Sequence, residues 1–506
     1  MWDRLTPLDV AFLDAEDGER HTSMAIGTVA VLAGPAPTHE EFVAGLGARL
    51  GRLPRYRQRL RAVPFDLGRP VWVDDEAFDI GYHVRRTALP APGDDAALAR
   101  LLGRVMSQRL DRDRPLWECW VAEGLAGGRW AVISKVHHCM ADGISGMALY
   151  DAFFDREPHP PAAPSGDAWI PGAAPSTARL TASALADLAL SPLAQAGLLA
   201  RAARTPVPVL RAAADTARGA ANLVRGLAPA APGSLTGPLG QPRRYAMGRA
   251  SLAEVAATGR AFGATVNDVM LTAVAGGYRE LLRRRGERPD AQAVRTLVPV
   301  AMRQPGESPE LANRISVLLA LLPVEVEDPV RRLALVHERM LAAKASRAAE
   351  AGETLADLAR REPFPPLGWL MRLAWRLPQR SIVTVTTNVK GPRDKRYCLG
   401  REVREILPCV PIALRLRTGV AVMSYRDRLA YGVTADLASA GEPEVLARAI
   451  GVDLERLARA AGTARAAAGP PPRAGQAGRG AGGAGGAESA TPARPRAARA
   501  AGRHRP

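Results

Sequence analysis

The stretch Trp130-Ala131-Val132-Ile133-Ser134-Lys135-Val136-His137-His138 decides how this chain is read. It is rich in β-branched and aromatic residues and follows a turn signal at Gly127-Gly128, so it predicts a strand. Side chains alternate across a strand, which puts Trp130, Val132, Ser134, Val136 and His138 on one face. Ala131, Ile133, Lys135 and His137 take the other, so the two histidines cannot share one pocket while the strand continues. One is free for chemistry and its neighbour braces the backbone. Asp142 stands just before a helix-like apolar run at 144–154, where a helix N-cap is its default reading, and Gly143 permits a tight turn.

An imidazole at a strand end suits general-base work. An alcohol is a poor nucleophile until a base takes its proton, and a histidine with a pKa near ~6.5 is mostly neutral at physiological pH. A thioester is already activated, so acyl transfer from one needs no enzyme nucleophile or metal. The tetrahedral oxyanion needs hydrogen-bond donors, for which Asn267 and Asn388 are candidates. Two other readings stand beside this one. A histidine ending a strand can be purely structural, and a His-His-x-x-x-Asp cluster can ligate metal, although opposed faces make shared ligation awkward.

Working outward, residues 39–51 and 96–110 have helical spacing of Leu, Val and Ala. Pro70-Val71-Trp72-Val73 and Gly81-Tyr82-His83-Val84 are β-like. From Pro158 to about Pro242 the composition shifts to Ala and Pro with scattered Arg, around a helical stretch at 177–227. This is either an ordinary crossover or a set of basic interfacial helices. A further helix is expected from Thr265-Val266-Asn267-Asp268, with acid in its first turn, Arg283-Arg284-Arg285 in its last and a stop at Gly286. Strands follow at 294–302, 314–326, 381–389 and 420–436, the last broken into a hairpin by Arg426-Asp427-Arg428. Helices are expected near 329–349, 366–377 and 442–461.

The chain of 506 residues exceeds one ordinary core. It divides into an N-terminal domain (1–157), a connector (158–244), a C-terminal domain (245–462) and a basic tail (463–506) expected to be disordered. The content of 47% hydrophobic and 24% charged residues fits a globular protein. The net charge is +17, of which the tail supplies +7 from eight arginines and one acid, Glu488. That balance suits a nucleic acid, an anionic membrane or a phosphorylated cofactor such as coenzyme A, and no zinc-finger spacing or nucleic-acid module accompanies it to favour the first. Cys119, Cys139, Cys398 and Cys409 form no C-x-x-C pair and suggest neither zinc nor a redox site. No signal peptide is evident, and Leu188–Ala200, interrupted by Pro192, is too short to span a bilayer. A cytoplasmic protein touching membranes only at their surface is expected.

His137-His138-Cys139-Met140-Ala141-Asp142-Gly143 resembles the HHxxxDG signature of the CoA-dependent acyltransferases, a superfamily that includes chloramphenicol acetyltransferase, carnitine acyltransferases and peptide-synthetase condensation domains. Four other segments resemble one branch, the bacterial wax ester synthase/diacylglycerol acyltransferase family. They are Pro7-Leu8-Asp9 with Phe12-Leu13, Arg114-Pro115-Leu116-Trp117-Glu118, Asn267-Asp268, and Asn388-Val389-Lys390-Gly391-Pro392. Lys390 departs from the proline often seen there. The resemblance runs over about residues 1–460. It implies an α/β (α+β) fold of two chloramphenicol-acetyltransferase-like domains, with mixed sheets flanked by helices and a reaction channel between them. It makes His138 the base toward diacylglycerol or a fatty alcohol, with acyl-CoA as co-substrate and no bound cofactor or metal. His137 would support the loop and Asp142 would orient it. Pro115, Leu116, Trp117, Asp268 and Asn388 become candidate substrate contacts. Core packing for Pro115-Leu116-Trp117, a plain helix start for Asn267-Asp268 and a strand-ending turn at Asn388 are the alternatives. Triacylglycerol or wax ester synthesis at the inner membrane or a lipid droplet follows. A condensation-type enzyme on carrier-bound substrates, or a non-catalytic lipid-binding protein, are the other functions weighed.

Overall fold

The computed structural model describes residues 2–51, 53–140, 153–159, 169–189, 233–301, 315–350 and 381–468. Helix α1 (Pro7–Gly18) starts where Thr6 and Asp9 close a reciprocal capping box and Pro7 presets the first turn. Strand β1 (Ala25–Leu32) then pairs antiparallel with β6 (Arg129–His137), Ala25 opposite His137. On the other side of β6, β5 (Trp117–Leu125) sets Trp117 opposite Val136. The expected alternation holds along β6 as far as His137; His138, read as the last strand residue, lies instead in the turn that follows. Phe42, on α2 (His39–Leu50), meets Trp130 edge-on at 6.3 Å. The opposite face is so close to α4 (Asp95–Met106) that a Cβ on Gly27 would sit 2.9 Å from the Met106 sulfur. The two-stranded pair β2 (Gln58–Arg61) and β3 (Val71–Asp74) lies apart from this sheet.

Gly81-Tyr82-His83-Val84 is corrected by the structure. Ile80–His83 is a single helical turn, α3, because the Asp79 side chain accepts the Gly81 N–H at 2.8 Å and caps it. Strand β4 (Val84–Ala88) begins only where that run ends and joins β5 in parallel.

Part of the connector is the helix α5 (177–189). The second half is built on β7 (Arg243–Ser251), α6 (Leu252–Ala261) and α7 (Val266–Arg284), whose N-terminus is another capping box, Thr265 with Asp268. Strands β8 (Arg295–Ala301) and β9 (Ile315–Leu321) precede helix α8 (Pro329–Glu350) and strand β10 (Thr384–Lys390). The expected hairpin forms from β13 (Thr418–Tyr425) and β14 (Arg428–Asp436), turning at Arg426 with φ 55°. The closing helix α9 spans Pro443–Ala468, so Thr463–Ala468, read as the start of the tail, are helical. Ala and Arg favour helix, and no Gly or Pro intervenes after Gly462 until Gly469-Pro470.

With β11 at Tyr397–Cys398 and β12 at Arg401–Cys409, the two main sheets have orders β11-β12-β1-β6-β5-β4 and β7-β14-β13-β10-β8-β9. Strands β11 and β12 come from the 245–462 segment yet complete the first sheet, β12 lying antiparallel to β1. The two halves are therefore laced together by backbone hydrogen bonds. Each sheet has its own core, around Val29, Ile133 and Leu407 in one and Tyr278, Val420 and Leu446 in the other. This is the expected mixed α/β architecture with helices flanking sheets. All four cysteines are buried and unpaired. No described helix is long and apolar enough to cross a membrane. Asp142 and Gly143, most of 144–154, the connector beyond 189, the run 366–377 and the tail beyond 468 lie outside the described residues.

Candidate active site

Consecutive amides of a strand point to opposite sides, and the end of β6 is gripped through both. The His137 N–H donates to the Leu116 carbonyl at 2.9 Å and the His138 N–H to the Met24 carbonyl at 3.0 Å. Beyond His137 the chain leaves the sheet in a 3-10 turn, His138–Met140. Pro115-Leu116-Trp117 thus serves the histidines through its backbone. Its side chains support the packing reading: Leu116 and Trp117 are buried, and the Trp117 indole N–H donates to the Tyr56 carbonyl at 2.8 Å.

His137 is sealed in, 1% exposed. The Cys139 N–H donates to its Nδ1 at 3.2 Å, with the Cys139 thiol 3.0 Å from the same nitrogen. An amide can only donate, so Nδ1 is the acceptor and the ring proton sits on Nε2. Nε2 faces Glu16 Oε2 at 3.4 Å, and Glu16 too is 1% exposed. The same carboxylate accepts the Met24 N–H at 2.7 Å and an Arg112 N–H at 3.1 Å. Burial alone would raise the Glu16 pKa. His137, the Met24 amide and Arg112 outweigh it and hold the group at about 2. Sequence reasoning missed Glu16. The signal was available: Asp9, Phe12 and Glu16 stand three and seven residues apart, on one face of α1. Asp9 caps the helix, Phe12 covers a histidine and Glu16 charges the same face.

That histidine is His138, whose ring lies on Phe12 with centroids 3.9 Å apart and planes 30° from parallel. Burial lowers its pKa to about 4, the neighbouring His137 adding to the effect and a backbone hydrogen bond opposing it. The ring is therefore neutral through the physiological range and has a lone pair for a proton. Its Nδ1 is buried with no side-chain partner among the described residues.

The second half brings together two residues that the sequence left apart. Asn388 Nδ2 donates to Asn267 Oδ1 at 3.3 Å, so the end of β10 meets the first turn of α7. Asp268 is buried, closes the capping box and accepts from His337 Nδ1 at 2.8 Å. Gly391 ends the strand because nothing larger fits: a Cβ there would lie 2.1 Å from the Ser424 carbonyl oxygen. Lys390 is exposed. Among the described residues, no hydrogen bond or ion pair links these residues to His138. A cleft of about 1120 Å³ between α4, β7 and α9 is lined by Arg100, Arg104, Arg244, Tyr245 and Arg448, but not by His138. No group of three His, Cys, Asp or Glu able to hold a metal occurs among the described residues.

The sequence matches the family model of the wax ester synthase/diacylglycerol acyltransferase catalytic domain over residues 5–270. It matches that of the WS/DGAT C-terminal domain over 311–458. It is 43% identical over 453 residues to the Mycobacterium tuberculosis (strain ATCC 25618 / H37Rv) protein named "Probable diacyglycerol O-acyltransferase tgs1", covering 90% of this chain and 95% of the relative. Among solved structures it is similar to the wax ester synthase/diacylglycerol acyltransferase from Marinobacter aquaeolei VT8, with TM-score 0.61 and 24% identity, covering 91% of this chain and 100% of the other. It also shares its fold with a starter condensation domain of rhizomide synthetase RzmA in complex with C8-CoA and Leu-SNAC, with TM-score 0.54 and 15% identity, covering 91% and 94%.

Proposed function

Since this chain belongs to the wax ester synthase/diacylglycerol acyltransferase family, we propose that it moves a fatty acyl group from acyl-CoA to the hydroxyl of diacylglycerol or a long-chain alcohol. The observation that carries the reading is the His138 ring, neutral just past the end of β6, resting tilted on Phe12 and with its backbone fixed by Met24. His138 takes the proton of the acceptor hydroxyl as that oxygen attacks the thioester carbonyl carbon. A C–O bond forms and the carbonyl electron pair moves onto its oxygen. When the pair returns, the C–S bond breaks, and the proton held by His138 passes to the departing sulfur, giving free CoA. A positioned base of this kind contributes roughly 10²–10⁴-fold. A low pKa makes His138 a modest base, so the reaction relies on holding the alcohol and the thioester together.

His137 braces the turn, and Asp142 and Gly143 shape the loop that follows. Asn267 and Asn388 are the proposed donors toward the oxyanion. The acceptors are lipids, so turnover belongs at a membrane or droplet surface, and a chain of net charge +17 suits an anionic one. The test is CoA release by the purified protein from palmitoyl-CoA with diacylglycerol, with hexadecanol and with no acceptor. Acceptor-dependent release is expected. Release that ignores the acceptor indicates thioester hydrolysis, and none at all indicates a lipid-binding protein; either result rejects the proposal.

A further inference from the structure

We infer that Glu16 is a positioning residue for the reaction, the buried carboxylate through which α1 sets both histidines of the motif. This rests on His138 being the base. One oxygen of Glu16 does two things. Oε2 accepts the Met24 N–H at 2.7 Å and lies 3.4 Å from His137 Nε2. The Met24 carbonyl in turn accepts the His138 N–H at 3.0 Å. Glu16 is thus one residue, Met24, removed from the backbone of His138 and faces the ring of His137. The chain of contacts closes on itself, because Cys139, the residue after His138, donates its N–H to His137 Nδ1 at 3.2 Å. His138 is therefore held on its N-terminal side by Met24 and on its C-terminal side by a ring whose tautomer Glu16 favours.

The carboxylate is itself fixed. Arg112 donates to Glu16 Oε1 at 3.1 Å and to the Leu13 carbonyl at 3.3 Å, one turn earlier on α1. Arg109 reaches the Thr22 carbonyl at 2.8 Å and also the Glu16 carbonyl, tying the 19–24 loop to the helix. A neutral amide cannot replace the carboxylate without loss. Glu16 accepts from Met24 on one oxygen and from Arg112 on the other, with His137 Nε2 3.4 Å away, and an amide would set its NH₂ against one of them. Phe12 lies on the same helix face, so a shift of α1 also moves the surface on which the His138 ring rests.

The test is steady-state CoA release by Glu16→Gln, Glu16→Asp and Asp17→Asn with palmitoyl-CoA and diacylglycerol. A displaced base lowers kcat of folded Glu16→Gln by on the order of 10²-fold. KM for palmitoyl-CoA then stays within about twofold, and Glu16→Asp regains part of the rate. Asp17→Asn removes only the exposed partner of Arg112, 2.9 Å from it, and leaves kcat nearly unchanged. Folded Glu16→Gln with wild-type kcat, or an equal loss in Asp17→Asn, overturns the inference. Should Glu16→Gln not fold, Arg112→Gln, which unclamps the carboxylate without removing it, replaces it with kcat again expected to fall; an unchanged kcat overturns the inference. Should the wild-type protein release no CoA, the acyl-transfer reading fails on its own, and the imidazole ¹⁵N signals of histidine-labelled protein decide. Glu16→Gln is expected to move the signals of both His137 and His138, and unmoved His138 signals refute the positioning role.

Discussion

Two histidine–carboxylate pairs, one in each half of the molecule, differ in their surroundings. His137 and Glu16 are each 1% exposed and meet beneath the end of β6. His337 and Asp268 are closer, 2.8 Å, but the His337 side chain is 30% exposed. Asp268 has a second task there, closing the capping box of α7 with Thr265. In the first pair the carboxylate is clamped by Arg112 and by an amide, and its pKa is driven down to about 2. A sealed pair cannot exchange its partners for water, so every group in it depends on the others. An open pair can, and the capping hydrogen bonds persist when the histidine is lost. The first region fixes the turn that carries His138, and the second fixes a helix start.

Substitutions sharpen this contrast, and the largest effect on stability is expected at His137. His137→Ala empties a buried site and leaves the Glu16 charge with one neutral partner fewer, and losing a polar contact to a buried charge costs about 2–3 kcal/mol. A denaturant midpoint close to wild type would show that the pair is dispensable. Acid tests the same pair. Glu16 is held below its ordinary 4.5, so its contribution is present above that value and disappears as pH falls toward about 2. The amount is about 3 kcal/mol. His138 acts in the same direction, because the unfolded chain binds a proton below pH 6.5 that the folded ring refuses until about 4. Unfolding free energy measured between pH 7 and 3 should therefore fall more steeply in the wild type than in Glu16→Gln. Parallel curves would contradict the assignment. A smaller effect is expected at Asp268→Ala, which removes a cap and the His337 partner together, at a cost of about 1–2 kcal/mol. The smallest is His337→Ala, below about 1 kcal/mol, since its site is open to water. If His337→Ala proved as damaging as His137→Ala, exposure would not be what separates the two regions.

Much of this was legible locally. Strand β6 announced itself by β-branched alternation, and the hairpin at Arg426-Asp427-Arg428 by a polar break between apolar runs. Thr265 with Asp268 showed in sequence the spacing of the capping box it forms. What failed was long-range or masked by polar residues. Arg401, Glu402, Arg404, Glu405 and Pro408 hide strand β12, which exists because β1, far back in the chain, offers an edge to pair with. Asp79 converts the β-like run at Gly81 into a helical turn, and only the observed side-chain cap reveals it. Glu16 reads as one more acid in a helix until His137 is brought against it. The contact between Asn267 and Asn388 likewise depends on how α7 meets β10.

Removal of the acceptor proton is the proposed task of His138. His138→Ala should unfold at nearly the wild-type midpoint, since no described side chain bonds its Nδ1. Its rate of CoA release from palmitoyl-CoA in the presence of diacylglycerol should fall by roughly 10²–10⁴-fold. A folded His138→Ala enzyme releasing CoA at the wild-type rate would contradict it.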